Sequence, residues 1–178
     1  SGAAAVVSGA SGEREVLVEQ IPTGPGKTSL AEGEFIAAVS GAMGGGVPSA
    51  VAAGLRAPSR QLVAFAGDGG ALMTGNEIAT ARQYGVNPIL VISDNSMYGT
   101  IGMHHEVRYP GRPYKSATQL TNPDFAMWAK SFGAEGITVT DEKDVAAAVA
   151  RGFAIKDRPV VLHFKTSADQ MSAWRRRK

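Results

Sequence analysis

With 178 residues, 44% of them hydrophobic, the chain can build one well-packed domain but not two ordinary ones. It contains no cysteine, which excludes disulfides, thiolate metal sites and cysteine nucleophiles together and is compatible with a reducing cytoplasm. The formal charge of +2 comes from Arg175, Arg176, Arg177 and Lys178: of 18 basic residues, 14 remain against 16 acidic ones once these are set aside, so charge does not point to nucleic acid. No apolar run reaches the length of a membrane span and no signal peptide is visible.

Taken in order, residues 1–12 are small and turn-rich and read as a linker or domain edge, with 13–170 as the domain and 171–178 as a basic tail. Residues 16–20 read as a first strand. Residues 21–34 form a Gly/Pro loop whose GPGKTS suggests a phosphate loop. That motif needs a glycine five positions before Gly26, where Ile21 stands, and no strand-to-helix context follows. Residues 35–39 are a short apolar run, and 41–46 are glycine-rich. Residues 47–55 read as a helix with Pro48 in its first turn. Residues 62–66 are the next strand, ended by Gly67-Asp68-Gly69-Gly70. Thr74 and Glu77 have capping-box spacing, which predicts a helix starting at Thr74 and closing at Gly85. Residues 88–92 are β-rich and broken by Ser93-Asp94-Asn95. A helix is expected over 100–107, a loop over 108–120, and a further helix from an Asn122-Pro123 cap to Gly133. Residues 137–139 read as a strand, Asp141 caps a helix to about Phe153, and 159–165 are the last strand. Alternating strands and helices predict a parallel, helix-covered sheet.

The centre of this pattern is residues 61–100, one βαβ unit whose crossover sets two parallel strands side by side. Asp68 and Asn95 then lie just past the C-terminal ends of neighbouring strands, the edge where open α/β sheets hold ligands. A carboxylate and a side-chain amide oxygen are hard ligands, suited to Mg²⁺ or Ca²⁺, and Mg²⁺ usually shares its shell with phosphate oxygens and water. The glycines after Asp68 leave backbone N–H groups open to such an anion. The residues by themselves indicate a metal-bound phosphate or diphosphate. Three histidines without HxH or HxxxH spacing argue against zinc. A phosphatase-like nucleophilic role for Asp68 lacks a second aspartate two residues on, where Gly70 stands.

GDGG at 67–70 with Asn95 in DNSMYGT resembles the GDG…NN signature of thiamine-diphosphate enzymes. SGAMGGGVPSA at 40–50 resembles the GxMGxGLPAA segment of the acetolactate-synthase-like branch. MYGTIGMHHEVRYPGR and then LTNPDFAMWAKSFGAEG are similar to the segment behind the NN motif in that branch. Together these blocks cover residues 35–139 in the expected order. The resemblance implies a three-layer α/β sandwich, mostly parallel, with helices on both faces. It implies Mg²⁺ held by Asp68, the Asn95 side chain and the Met97 backbone carbonyl, with thiamine diphosphate against Gly41, Met43, Gly67, Asp68, Gly69, Gly70, Asn95, Met97, Tyr98 and Gly99. The Gly41 carbonyl matches a contact to the aminopyrimidine, and Met43 the residue that props the cofactor into its V shape. The family usually has Asn where this chain has Asp94; the second position, which carries the ligand, is kept. Thr100 and His104 share a helix face and are candidates to face the substrate.

The same resemblance implies a 2-oxo acid substrate and an activating glutamate on a separate pyrimidine-binding domain, which nothing in this chain matches. The chain is thus expected to be a half site, either the C-terminal part of a longer enzyme or one subunit of a split one. The face carrying Met43, Val47, Met73, Met97 and Tyr98 is expected to be an apolar interface for self-association or for that partner domain. The competing reading is a non-catalytic α/β module binding Mg²⁺ and a nucleotide.

Overall fold

In the computed structural model the described backbone comprises residues 4–9, 12–17, 22–24, 27–28, 35–39, 43–112, 115–172 and 175–176, with side chains described over 43–112 and 117–169. Strands β1 (Ala4–Gly9), β2 (Gly12–Leu17) and β5 (Phe35–Val39) pair antiparallel in the order β2-β1-β5. Strands β3 (Pro22–Gly24) and β4 (Lys27–Thr28) form a small ladder of their own. Two expectations change here. The first strand lies in the small-residue stretch read as a linker, where Val6 and Val7 supply β-branched residues, and the GPGKTS lysine and threonine, read as part of a loop, sit in a two-residue strand.

From residue 46 onward the order is α1 (Gly46–Arg56), β6 (Val63–Gly67), α2 (Asp68–Thr74), a 3₁₀ turn (Gly75–Glu77), α3 (Ile78–Gln83) and β7 (Ile89–Asp94). Next come α4 (Gly99–Arg108), α5 (Lys115–Thr118), α6 (Phe125–Ser131), β8 (Glu135–Val139), a 3₁₀ turn (Glu142–Asp144), α7 (Val145–Ala154) and β9 (Val160–Lys165). Strands β10 (Gln170–Ser172) and β11 (Arg175–Arg176) pair beyond it, so β9 is not the last strand and the basic end read as a tail includes strand backbone. Among the described residues no helix is long and apolar enough to cross a membrane.

The main sheet has the order β6-β7-β9-β8, and all three pairings are parallel. The two-residue period of the strands divides the core. Leu90, Ile92 and Val161 face Val47 and Ala50 of α1, Ala71 of α2, Ile78 of α3, and Phe125 and Ala129 of α6. Ile89, Val160 and Leu162 point the other way, towards Val149 of α7 and Ile155. Helices therefore cover both faces, giving the three layers the sequence predicts.

Three local differences bear on the site. The helix after β6 begins at Asp68, not Thr74, because the GDGG segment continues directly into helical backbone; the Thr74 hydroxyl donates to the Gly44 carbonyl instead of capping. The crossover ends as predicted, with Gly85 left-handed at φ +66°. The helix cap is Asp124, not Asn122: its carboxylate accepts from Ala126 and Met127 N–H, which frees the Asn122 side chain. The 108–120 loop also contains one helical turn, α5.

Phe125 is fully buried and stacks edge-on against Trp128 and His163, whereas Met127, two residues on, is 68% exposed. Phe125→Ala should lower stability by about 3–5 kcal/mol in urea unfolding, while Met127→Ala should change it by less than about 0.5 kcal/mol. Equal losses at the two positions would contradict this core assignment.

Candidate functional site

Asp68 directly succeeds the last residue of β6 and opens α2, and it is 3% exposed. Its Oδ1 accepts from the Gly69 N–H at 2.9 Å, and its Oδ2 accepts from the Met97 N–H at 3.2 Å and from Asn122 Nδ2 at 2.7 Å. The Met97 N–H also donates to Asn95 Oδ1 at 3.1 Å. One N–H thus gathers the carboxylate of the β6 end and the amide oxygen of the β7 end, which converge as the βαβ reading predicts.

The backbone around Met97 is held by the segment after α4. Tyr98 N–H donates to the Thr118 carbonyl and Leu120 N–H to the Ser96 carbonyl, so Met97 faces Gln119 in an antiparallel bridge. In this kind of pair the two central residues do not bond each other, so the N–H and C=O of Met97 both face away from Gln119. Ser96, before it, has φ +57°, a left-handed value uncommon outside glycine, and both its N–H and its hydroxyl donate to Asp94 Oδ1.

Tyr98 and Met43 close over the first turn of α2. A Cβ on Gly69 would lie 2.4 Å from the Tyr98 ring and 3.3 Å from the Met43 methyl, so only glycine fits beneath them. Gly69 and Gly70 occupy that first turn, where backbone N–H groups have no partner within the helix. Gly67 and Gly99 flank the same corner. Gly41 lies outside the described residues. Thr100 and His104 are exposed on α4, and among the described residues neither bonds to Asp68 or Asn95. Val47 and Met97, which sequence alone places on an exposed apolar face, are 2% and 5% exposed; Met43 and Met73 do stand out, at 51% and 52%.

Sequence reasoning missed the polar support of this corner. Asp94 is buried, with Oδ1 accepting from Asn122 Nδ2 at 2.7 Å and Oδ2 within 2.8 Å of His163 Nε2 and 2.5 Å of Lys165 Nζ. The signal existed: His163 and Lys165 alternate along β9 on the face of Val161, polar interruptions of an otherwise apolar strand. The Phe125 ring meets the fully buried His163 edge-on at 5.2 Å. Among the described residues no group of three or more His, Asp or Glu side chains is placed to hold a metal ion, so a metal here would draw on amide and backbone oxygens besides one carboxylate. A cavity of about 420 Å³ between Leu55, Arg60, Tyr84 and Lys156 lies at the other end of the strands and contains none of these groups.

The two carboxylates are driven apart electrostatically. Burial pushes Asp68 up, and the nearby Asp94 charge adds to this, against the hydrogen bonds from Asn122 and Gly69. For Asp94 burial also acts upward, but hydrogen bonds from Lys165, His163, Asn122 and Ser96 together outweigh it and hold the carboxyl far below the usual carboxylate range.

Residues 26–164 match a family model described as the C-terminal TPP binding domain of thiamine pyrophosphate enzymes. The chain is 38% identical over 120 residues to YdaP, a putative thiamine pyrophosphate-containing protein of Bacillus subtilis, covering 67% of this chain and 20% of that protein. It is 32% identical over 123 residues to the acetolactate synthase isozyme 2 large subunit of Escherichia coli, covering 69% and 22%. Among solved structures, a thiamine diphosphate-dependent 4-hydroxybenzoylformate decarboxylase of Rhodococcus jostii superposes with a TM-score of 0.64 at 27% identity, over 70% of this chain and 23% of that one. The chain spans about a fifth of the length of the curated relatives it matches.

An acid whose native pKa is depressed, as for Asp94, stabilises the fold above its unfolded value and loses that contribution as pH falls through the native one. Asp68, raised, has the opposite sign: its contribution is present below the unfolded value and lost as pH rises through the native one. The wild type should therefore lose melting temperature below about pH 4, and Asp94→Asn should flatten that loss. An unchanged acid limb in a pH series of melts would remove Asp94 as its source.

Proposed function

The chain belongs to the thiamine pyrophosphate enzymes as their C-terminal TPP binding domain, and from that premise we propose that it holds Mg²⁺–thiamine diphosphate for an acetolactate synthase-like enzyme acting on 2-oxo acids by decarboxylation or carboligation. The observation that carries the reading is the convergence of Asp68 Oδ2 and Asn95 Oδ1 on the Met97 N–H, beside the Gly69–Gly70 turn. The donor chemistry fits: a carboxylate, an amide oxygen and a backbone carbonyl are hard oxygens of the kind Mg²⁺ takes together with diphosphate and water.

In this proposal Asp68, the Asn95 side chain and the Met97 carbonyl hold the metal. Gly67 to Gly70, Tyr98 and Gly99 line the corner that receives the diphosphate; the Gly69 and Tyr98 N–H groups are engaged by Asp68 and the Thr118 carbonyl, so these two residues shape the corner and do not donate to the anion. Met43, standing over Gly69 with Tyr98, offers the apolar shelf for the cofactor's middle. When bound, the cofactor supplies a carbon nucleophile towards the 2-oxo acid. The residues of this chain orient it and bring positive counter-charge to its diphosphate through the metal. The choice between lyase and transferase stays within the class, because the similar proteins include both a synthase and a decarboxylase.

The proposal includes a partner: a pyrimidine-binding domain or subunit supplying the activating glutamate, with a homo-oligomer as the expected assembly. Met43, Leu72 and Met73, exposed beside the glycine corner, support an interface there. The cysteine-free chain suits a cytoplasmic setting.

In calorimetry, Asp68→Ala should abolish Mg²⁺-dependent binding of thiamine diphosphate while far-UV circular dichroism stays unchanged. Wild-type affinity in the variant would sink the metal assignment. Stabilisation of the wild type by ATP or NAD in place of thiamine diphosphate would favour the nucleotide-binding reading. The purified chain alone should turn over pyruvate at well below about 1 s⁻¹, since the activating carboxylate lies elsewhere; turnover at that rate would show that it carries a complete site.

If the methionine face is an interface, Met73→Arg should reduce the particle mass of the chain, or of its complex with a pyrimidine-binding domain, in light scattering. Interfaces of about 1,200–2,000 Å² rarely tolerate a buried unpaired charge. An unchanged mass would place the contact elsewhere.

A further inference from the structure

We propose that Asn122 is a positioning residue, whose side-chain amide clamps the carboxylate of Asp68 in place and insulates it from the carboxylate of Asp94. The inference rests on the reading of Asp68 as a metal ligand.

Asn122 Nδ2 lies 2.7 Å from Asp68 Oδ2 and 2.7 Å from Asp94 Oδ1. A primary amide nitrogen has two protons, so a single side chain serves both carboxylates and its donor capacity is used up. The two acids are not equally supported. Asp94 has His163 and Lys165 on its far oxygen and Ser96 on its near one, so its charge is paired and its position fixed. Asp68 has no cationic partner among the described residues of this network: its donors are the Gly69 and Met97 N–H groups and the Asn122 amide. A second buried anion nearby repels the less supported carboxylate and works to displace it. The group that prevents this is Asn122, which holds Asp68 Oδ2 on the Met97 N–H beside Asn95 Oδ1.

Asn122 has no capping duty that would explain it otherwise. The N-terminus of α6 is capped by Asp124, which accepts from Ala126 and Met127 N–H. The Asn122 Oδ1 atom is buried and has no hydrogen-bond partner among the described residues. A buried unpaired amide oxygen is unfavourable for the fold alone, which points to the two bonds made by the nitrogen as the reason the group is placed there.

The test is a titration of the full chain with Mg²⁺ at fixed thiamine diphosphate, read by calorimetry, in the wild type, Asn122→Ala, Asp94→Asn and the double variant. Asn122→Ala should raise the half-saturating Mg²⁺ concentration by about tenfold or more, the usual effect of removing a group that orients a metal ligand. Because the role is insulation between two charges, adding Asp94→Asn to Asn122→Ala should restore most of that loss. A purely structural role would not be rescued by neutralising Asp94. If Asn122→Ala loses its cooperative melt, Asn122→Gln, which keeps the amide but moves it by one methylene, should give a smaller loss with the same rescue. No Mg²⁺-dependent binding by the wild type would overturn the proposed function, and this inference with it. Wild-type binding with an unaffected Asn122→Ala, or a loss that Asp94→Asn leaves unchanged, would overturn this inference alone.

Discussion

Two buried carboxylates at the ends of adjacent parallel strands set the terms for this structure. Asp68 comes directly after β6 and Asp94 closes β7, and both are removed from water. Burying like charges side by side is among the costlier arrangements a fold can adopt, and it persists only where donors surround both groups. Here those donors come from four places: the first turn of α2, the Ser96–Met97 backbone, Asn122 before α6, and His163 and Lys165 on β9.

The sheet order makes this possible. β9 enters between β7 and β8, so its C-terminal residues stand directly beside Asp94, in register at Lys165. Parallel pairing brings every strand out at the same edge, and connections leaving that edge converge there. The helix α6 lies against β8 and β9, and the packing of Phe125 on His163 links the imidazole that contacts Asp94 to the hydrophobic core. The site and the core are therefore mechanically continuous: the residue that fills the space under α6 also fixes the donor to Asp94.

The family resemblance leads one to expect asparagine at the position of Asp94, and the structure shows what surrounds the aspartate that stands there. An asparagine there would be neutral beside Asp68. The aspartate adds a charge, and the same chain places Lys165 and His163 within hydrogen-bonding distance of it. Asp94 and Lys165 stand on two strands that are adjacent in space, though the residues are 71 apart in sequence.

What the sequence by itself determined was whatever local chemistry controls. Short apolar runs bounded by glycine and polar turns located β6, β7, β8 and β9, the left-handed Gly85 ended the crossover, and the alternation of elements implied a parallel sheet with Asp68 and Asn95 at the C-terminal edge of neighbouring strands. Capping signals were less decisive, because Thr74 and Asn122 are chemically able to cap but find other partners, Gly44 and the two aspartates. Exposure was not legible either: Val47 and Met97 look like their neighbours Met43 and Met73, yet the first pair packs inward. Only the tertiary structure decided the network around Asp94, since its members come from separate elements, and a side chain's partner across the fold leaves no spacing in the chain. Local propensities act over a few residues; the pairing of buried charges is set by which strands and helices come to lie side by side.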